Sequence, residues 1–307
     1  MWKQHPLVFW LNGPAHHRTG VRFFQAMIGV ALLFRFATEV PFAGWLWGAR
    51  GLPGGGAFPA LGPWSQAVEG LYADDRLIVG LLLLQAVGAL LLITGQATRF
   101  AASLCLFAVT MLEWRTMEIN DGGDNLARIC LCYFLFLAPP NRVVAPGSLR
   151  AYLHNLGVLL LIAQVMILYF VAGLAKAMGE VWMNGTALYL ISQVEEFSLP
   201  GLRALFKNPF LTVGASYLTL GLQLFFPISF FTRFKLFFLL LGMAFHLGIA
   251  GFMGLVSFSL IMAGADLLLI SDEEYGGFRR WLPAWPWRWP FAIKDTPALQ
   301  RGAGQDL

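Results

Sequence analysis

The stretch FKLFFLLLGMAFHLGIAGFMGLVSFSLIMAGADLLLI, residues 234 to 270, decides the fold class of this chain. As one helix it would extend about 55 Å, well beyond the roughly 30 Å of hydrocarbon in a bilayer. Gly251 and Gly254 lie near its middle, where a tight turn could divide it. We therefore interpret the stretch as two membrane spans joined by a turn.

The composition of the whole chain agrees with a membrane protein. Of the 307 residues, 58% are hydrophobic and only 12% are charged, which is about half the charged share of an ordinary soluble domain. We predict an all-α, polytopic transmembrane bundle of about eight spans, at roughly 22–47, 77–95, 99–117, 125–139, 154–175, 211–231, 234–252 and 255–271. The fourth span is short enough to be a re-entrant or deeply buried helix instead.

The positive charges predict an orientation. With eight spans both termini share one side of the membrane, and thirteen lysines and arginines fall on that side against six on the other. Since positive residues concentrate in cytoplasmic loops, we predict cytoplasmic termini. Residues 1–275 would form the membrane domain and residues 276–307 a Trp/Pro-rich interfacial and cytoplasmic tail. The polar loops 51–56 and 119–125 would then open on the outer face.

Several classes of function are disfavoured. The net charge of +4 is scattered over segment ends, so we expect membrane lipid and no nucleic acid as a partner. Cys105, Cys130 and Cys132 are odd in number and lack zinc spacing, which predicts buried thiols and no metal site. Walker loops, nucleophile elbows and HExxH motifs do not occur in the sequence.

The segment YFVAGLAKAMGEVWMNGTALYLI, residues 169 to 191, places Lys176 at the end of an apolar helix. Tyr169, Gly173 and Lys176 share one helix face, and small residues on such a face favour close helix packing. The lysine could snorkel to the headgroups. If it is partly buried, the loss of water disfavours the charged ammonium and makes the amine a usable base. Trp182 and Asn184 would then frame the mouth of the site.

Two further positions could assist. His246 lies inside an apolar run, where it could hydrogen-bond a neighbouring helix or transfer protons near neutral pH. Asp124, in the INDGGDN loop, could cap a helix that starts at Asn125 or pair with Arg128 at i, i+4.

Ionisable residues within the predicted spans are functional candidates by default. Glu113, Glu39 and Asp266 belong to this group. Glu39 is expected to pair with Arg35, four residues earlier on the same helix.

Three stretches together point to a family: INDGGDNLARICLCYFLFLAP (119–139), YFVAGLAKAMGEVWMNGTALYLI (169–191) and FHLGIAGFMGLVSFSLIMAGADLLLI (245–270). In this order, with GLP after the first span, they resemble the HTTM superfamily, the membrane domain shared by vitamin K-dependent γ-carboxylases and their bacterial relatives. The resemblance covers about residues 18–275. Within it, AGLAK followed by W, NG and TALY looks most like the bacterial SdpB-type proteins that help mature a secreted peptide toxin.

The resemblance implies roles for particular residues. Lys176 matches the lysine that deprotonates vitamin K hydroquinone in the γ-carboxylases, and His246 matches their conserved histidine. The implied cofactor is a reduced quinone, vitamin K hydroquinone or menaquinol, and the implied location is a bacterial cytoplasmic membrane. The γ-carboxylases carry an Asn-His pair where this chain has Asp124 and Asn125, and a large lumenal domain without a counterpart after residue 275. Both departures weigh against carboxylation of glutamate.

Three functions remain open from the sequence. The first is peptide maturation at the outer leaflet by a quinol-dependent lyase or oxygenase, with Lys176 as base and His246 and Asp124 assisting. The second is a non-catalytic chaperone or export factor for a peptide, in which Lys176 is an ion-pair partner. The third is a small-molecule or ion transporter that uses Glu39, Asp266 and His246 as a relay. The predicted substrate-binding residues are Tyr169, Trp182, Asn184, Asn125 and Glu113.

Overall fold

The computed structural model describes residues 5–48, 51–52, 70, 72, 74–116, 119–140, 142–195 and 198–281, and these residues form helices without strands. We label the helices in chain order: α1 (Pro6–Leu11), α2 (Arg18–Glu39), α3 (Ala43–Leu46), α4 (Asp75–Thr94), α5 (Thr98–Arg115), α6 (Gly122–Phe134), α7 (Leu149–Ala177), α8 (Glu180–Met183), α9 (Ala187–Gln193), α10 (Pro200–Leu205), α11 (Pro209–Ser229), α12 (Lys235–Met253), α13 (Val256–Leu268) and α14 (Asp272–Trp281).

The predicted all-α membrane bundle is confirmed. Each of the eight predicted spans contains a helix, namely α2, α4, α5, α6, α7, α11, α12 and α13. Among the described residues, five segments are long and apolar enough to cross a membrane: Arg18–Leu46, Asp75–Thr94, Leu149–Ala177, Pro209–Ser229 and Lys235–Met253. The other three are shorter or more charged. Helices α6 and α13 have 13 residues each, and α5 carries Arg99, Glu113 and Arg115.

The stretch 234–270 forms two helices, as predicted. Helix α12 ends at Met253 and α13 begins at Val256. Gly254 between them has a φ of 72°, a left-handed conformation that glycine adopts without steric cost. Gly251, the other predicted turn residue, lies inside α12.

Helix α2 lies at the centre of the bundle, between α4 and α13. Gly264 of α13 approaches α2 so closely that an added Cβ would lie 2.7 Å from the Cβ of Met27. At Gly29 of α2 an added Cβ would lie 2.7 Å from the carbonyl oxygen of Ala89 in α4. Small residues allow such close contacts between membrane helices. Helix α2 therefore packs between α4 and α13, and α6, which contacts α5, α7 and α13, joins the two sides of the bundle directly.

Helix α14 is held against the starts of α2 and α12. The carboxylate of Asp272 accepts hydrogen bonds from the backbone N–H groups of Arg18 at 2.9 Å and Thr19 at 2.8 Å, which satisfies the free N-terminal donors of α2. Lys235 donates to Glu274 at 2.6 Å. Burial raises the pKa of Glu274, but the hydrogen bonds from Lys235 and from the backbone of Ser271 outweigh it and hold that pKa below its ordinary value.

Asn155 of α7 anchors the segment that contains α1. Its side chain is fully buried and donates to the carbonyl groups of Trp10, Leu11 and Pro14 at 3.2, 3.1 and 3.0 Å. Its oxygen accepts from the backbone N–H of His16 at 3.0 Å. This one side chain therefore contacts four backbone groups of the N-terminal segment, and its two N–H hydrogens are shared among the three carbonyl groups.

We expect Asn155→Ala to destabilise the protein by about 3 kcal/mol, because buried backbone groups would lose their partners. The amide of His16 should exchange with solvent faster in the variant, as measured by hydrogen exchange in detergent. Asn12→Ala is the matched control, since Asn12 is exposed and donates only to Val8 on its own helix. Equal protection of His16 in both variants would contradict the anchoring role.

The three cysteines are free thiols. Cys105 and Cys130 are buried, as predicted, whereas Cys132 is only partly buried.

Some predictions fall outside the described residues or are not tested by them. Residues 282–307 of the predicted tail and residues 53–56 of the GLPGGG loop lie outside the described residues. The boundary at residue 275 and the orientation of the termini stay predictions.

Candidate functional site

Lys176 lies in the last turn of α7, just before the short helices α8, α9 and α10 that precede α11. Its side chain is partly buried, and its Nζ lies 5.4 Å from the ring centroid of Trp182. This is the distance of a cation–π contact. Trp182 thus lies beside Lys176, and its role at the mouth of a site stays a prediction. Asn184 is exposed and accepts hydrogen bonds from Thr186, so it stabilises the turn that follows.

The helix face that carries Lys176 packs closely on α11. At Gly173, an added Cβ would lie 2.9 Å from Cδ2 of Leu224. This contact confirms the prediction that small residues of α7 pack against another helix. Gly173 lies between Lys176 at the helix end and Tyr169 deeper in the bundle.

Tyr169, His246 and Asp266, which we call the buried trio, meet in the interior of the bundle. They come from α7, α12 and α13 and are 1%, 2% and 0% exposed. The Tyr169 hydroxyl lies 2.9 Å from His246 Nε2, and 2.9 and 3.2 Å from the two carboxyl oxygens of Asp266. The tyrosine ring stacks on Phe226 of α11, with centroids 3.7 Å apart. Tyr169 thus connects two ionisable groups on two other helices.

A second polar cluster surrounds Arg35 of α2. Its guanidinium contacts Glu39 at 2.7 Å, as predicted, and Asp124 at 2.5 Å. Arg35 and Asp124 are both buried. The ion pair between them connects α2 to the start of α6.

The structure corrects two predictions about Asp124. Helix α6 begins at Gly122, and Asp121 is its N-cap. Asp124 completes the capping box by accepting from the Asp121 backbone N–H at 3.0 Å. Arg128 does not pair with Asp124. It contacts Glu113 at 2.8 Å and donates to Asn125 at 3.0 Å, because the neighbouring α5 presents a buried carboxylate.

The three predicted catalytic residues have separate partners. Lys176 contacts Trp182, His246 contacts Tyr169, and Asp124 pairs with Arg35. Phe258 of α13 links two of these places. Its ring centroid lies 5.7 Å from that of His246, and its Cα would lie 2.9 Å from a Cβ added at Gly123, beside Asp124. No hydrogen bond among the described residues joins Lys176 to the other two.

The polar candidate residues could be identified from the sequence, but the residues that they contact could not. Tyr169 and Asp266 were each candidates, but they are 97 positions apart, and Arg35 and Asp124 are 89 positions apart. Helix periodicity predicts neighbours within one helix only. In the sequence, the one signal for such a contact was a pair of ionisable residues at similar depth in two predicted spans.

An apolar cavity of about 280 Å³ lies between α9, α11 and α12. Its walls include Leu188, Leu218, Phe245 and Phe252, and Ser192 and Thr219 are its polar side chains. Both hydroxyls donate to carbonyl groups of their own helices. The cavity is therefore suited to a hydrocarbon chain. Lys176 and His246 are not among its lining residues, although Phe245 is in edge contact with His246 at 5.2 Å.

The described residues contain no group of three His, Cys, Asp or Glu side chains that could hold a metal ion. At separate places, the described residues offer the amine of Lys176, the imidazole of His246 and carboxyl groups for proton transfer and hydrogen bonding.

The fold and these polar clusters define a helical membrane protein with ionisable groups buried in its bundle. A region of the chain is 32% identical over 206 residues to the uncharacterized protein YitO of Bacillus subtilis, covering 60% of this chain and 64% of that protein. Another match is 32% identical over 124 residues to the sporulation-delaying protein SdpB of Bacillus subtilis, covering 38% of each chain. The chain thus matches less than two thirds of the length of either relative. No protein-family model and no solved structure matches it.

Proposed function

We propose that this protein acts in the maturation of a secreted peptide at the outer face of a bacterial cytoplasmic membrane, as an SdpB-like member of the HTTM superfamily. The observation that carries the proposal is the partly buried Lys176 over Trp182, in a chain similar to SdpB. The lysine ends a long apolar helix and is followed by three short helices. A peptide could approach there from the membrane surface.

In this proposal Lys176 is the base. A partly buried amine can take up a proton from a substrate group, and the face of the Trp182 ring can then hold the resulting ammonium. The helix behind Lys176 packs tightly on α11 through Gly173 and Leu224, which fixes the backbone that carries the lysine, and the contact with Trp182 positions the amine.

A reduced quinone, menaquinol or vitamin K hydroquinone, is the proposed cofactor. The apolar cavity would hold part of its isoprenoid tail, in contact with Leu188, Leu218 and Phe245. When bound, a quinol supplies reducing equivalents and an ionisable hydroxyl. The chain itself supplies a hydrocarbon-lined space for the tail and the amine of Lys176 as proton acceptor.

The experiment is deletion of the gene in its host, followed by mass spectrometry of the secreted peptides. We expect the mature form of one small secreted peptide to be replaced by a form of different mass, and expression of the gene from a plasmid to restore the mature mass. An unchanged set of peptide masses and amounts in the deletion strain would contradict the proposed function.

A second candidate is a membrane chaperone or export factor for a peptide. Met178 and Met183, on either side of the Lys176 mouth, are 82% and 55% exposed, and flexible methionines adapt to varied apolar partners. In this case deletion would change the amount of the secreted peptide, while the mass of the remaining peptide would stay the same.

A further inference from the structure

The hydrogen bonds of the buried trio depend on one another. Tyr169 has a single hydroxyl proton but lies within hydrogen-bond distance of both His246 and Asp266. It can donate to one of them only, and it must accept from the other. Protonation of Asp266 gives the carboxyl group a donor and can therefore reverse the direction of both bonds.

Two arrangements satisfy the trio. When Asp266 is ionised, Tyr169 donates to the carboxylate and accepts from the Nε2–H of His246, so Nδ1 carries a lone pair. When Asp266 is protonated, its O–H donates to Tyr169, Tyr169 donates to Nε2, and Nδ1 carries the hydrogen. In both arrangements the histidine ring is neutral.

The two arrangements differ at the Nδ1 atom of His246, the ring nitrogen that is not bonded to Tyr169. It is buried and has no hydrogen-bond partner among the described residues. A buried polar atom without a partner is rare in folded proteins. Here the atom is a donor in one arrangement and an acceptor in the other, and the rings of Phe245 and Phe258 lie in edge contact with the imidazole.

We propose that Tyr169, His246 and Asp266 form an intramembrane proton relay that exchanges a proton at His246 Nδ1 with a molecule bound in the apolar cavity, when the ring of Phe245, which lines the cavity and contacts the imidazole, turns aside. The partner is a molecule with an ionisable O–H group. This site is separate from Lys176 and does not depend on the proposed function.

The transfer consists of three proton movements, and the total charge does not change. A proton leaves the O–H group of the bound molecule and joins Nδ1, the proton on Nε2 moves to the Tyr169 oxygen, and the former Tyr169 proton moves to the carboxylate of Asp266. The bound molecule gains the negative charge that Asp266 loses. No net charge is created in the apolar interior, where an isolated charge is costly.

The other charged groups of the surrounding helices are engaged elsewhere or, like Arg150 of α7, are exposed. Helix α11 contains no Asp, Glu, Lys, Arg or His, and Asp266 is the one such residue of α13. On α7, Lys176 lies over Trp182. The remaining pairs are Lys235 with Glu274, Arg35 with Glu39 and Asp124, Arg128 with Glu113, and Arg22 with the carbonyl groups of Leu92 and Ile93. The trio can thus titrate as a unit.

The test follows both ends of the relay in the full-length protein in lipid nanodiscs. Nitrogen NMR of labelled histidine reports the tautomer of His246, and infrared difference spectra against Asp266→Asn report the carbonyl stretch of protonated Asp266. On acidification we expect this stretch to appear at the same pH at which the ring proton of His246 moves from Nε2 to Nδ1. A tautomer that does not change when Asp266 gains its proton, or an Asp266 that does not titrate, would overturn the relay.

Tyr169→Phe keeps the ring stack on Phe226 and removes the linking hydroxyl. We expect the changes at His246 and Asp266 to occur at separate pH values in this variant, and to stay together in the control Tyr217→Phe. Tyr217 is exposed and donates to the Met183 carbonyl. If Tyr169→Phe does not fold, the joint titration in the unmodified protein alone decides the question.

Phenol serves as the probe for the exchange atom. We expect added phenol to shift the Nδ1 signal of His246 and to leave His154 unchanged. Both ring nitrogens of His154 already have partners, Ala138 N–H and the His16 carbonyl. An unchanged Nδ1 signal at phenol concentrations that saturate the nanodisc would overturn the assignment of Nδ1 as the exchange atom.

Discussion

Lys176→Ala is expected to lower the rate of peptide maturation by about 100-fold to about 10,000-fold, the usual contribution of a general base. The variant should fold normally, because Lys176 lies at a helix end and its contact is with the Trp182 ring. The measurement is the amount of mature peptide in the medium, with the membrane level of the variant checked by immunoblot.

Lys176→Arg separates a base from a positive charge that only holds the site together. Arginine keeps the charge and the stacking on Trp182 but does not give up its proton in proteins. We therefore expect it to be as inactive as the alanine variant. Lys207→Ala, which removes an exposed lysine, is the control and should retain full activity. Wild-type maturation by Lys176→Arg would show that the charge alone is needed and would favour the chaperone function.

Arg35→Met is expected to destabilise the protein by about 3–5 kcal/mol, the usual cost of leaving a buried charge without its partner. The variant removes the ion pair with Asp124 and the pair with Glu39 while keeping much of the side-chain volume. Most of this loss in stability is expected from Asp124, because its carboxylate is buried at the junction of α2 and α6 and would lose its partner. Thermal unfolding in detergent, followed by circular dichroism, measures the loss.

Two control variants test the origin of this effect. Arg150→Met removes an exposed arginine of α7 and should change the free energy of unfolding by less than about 0.5 kcal/mol. Glu39→Gln leaves the pair of Arg35 and Asp124 intact and should cost about 1 kcal/mol or less, since Glu39 is partly exposed. If Glu39→Gln were as damaging as Arg35→Met, the buried pair with Asp124 would not be the main contribution.

Much of the secondary structure could be predicted from local patterns. The length of the apolar run at 234–270 requires two helices, and a glycine at 254 supplies the turn. The pair of Arg35 and Glu39 follows from their spacing on α2. The start of α6 was misplaced by three residues, because Asp121 and Asp124 are both good N-terminal residues and the sequence does not rank them.

The contacts between polar groups on different helices could not be predicted from local patterns. Apolar length and helical periodicity account for the helices, for Lys176 at a helix end and for pairs within one turn, since these depend on residues that are neighbours along the chain. The buried trio, the pair of Arg35 and Asp124, and the anchor of the N-terminal segment by Asn155 all join helices that are far apart in sequence. Their formation depends on which helix faces meet at which depth, and that is set by close contacts such as Gly264 against Met27.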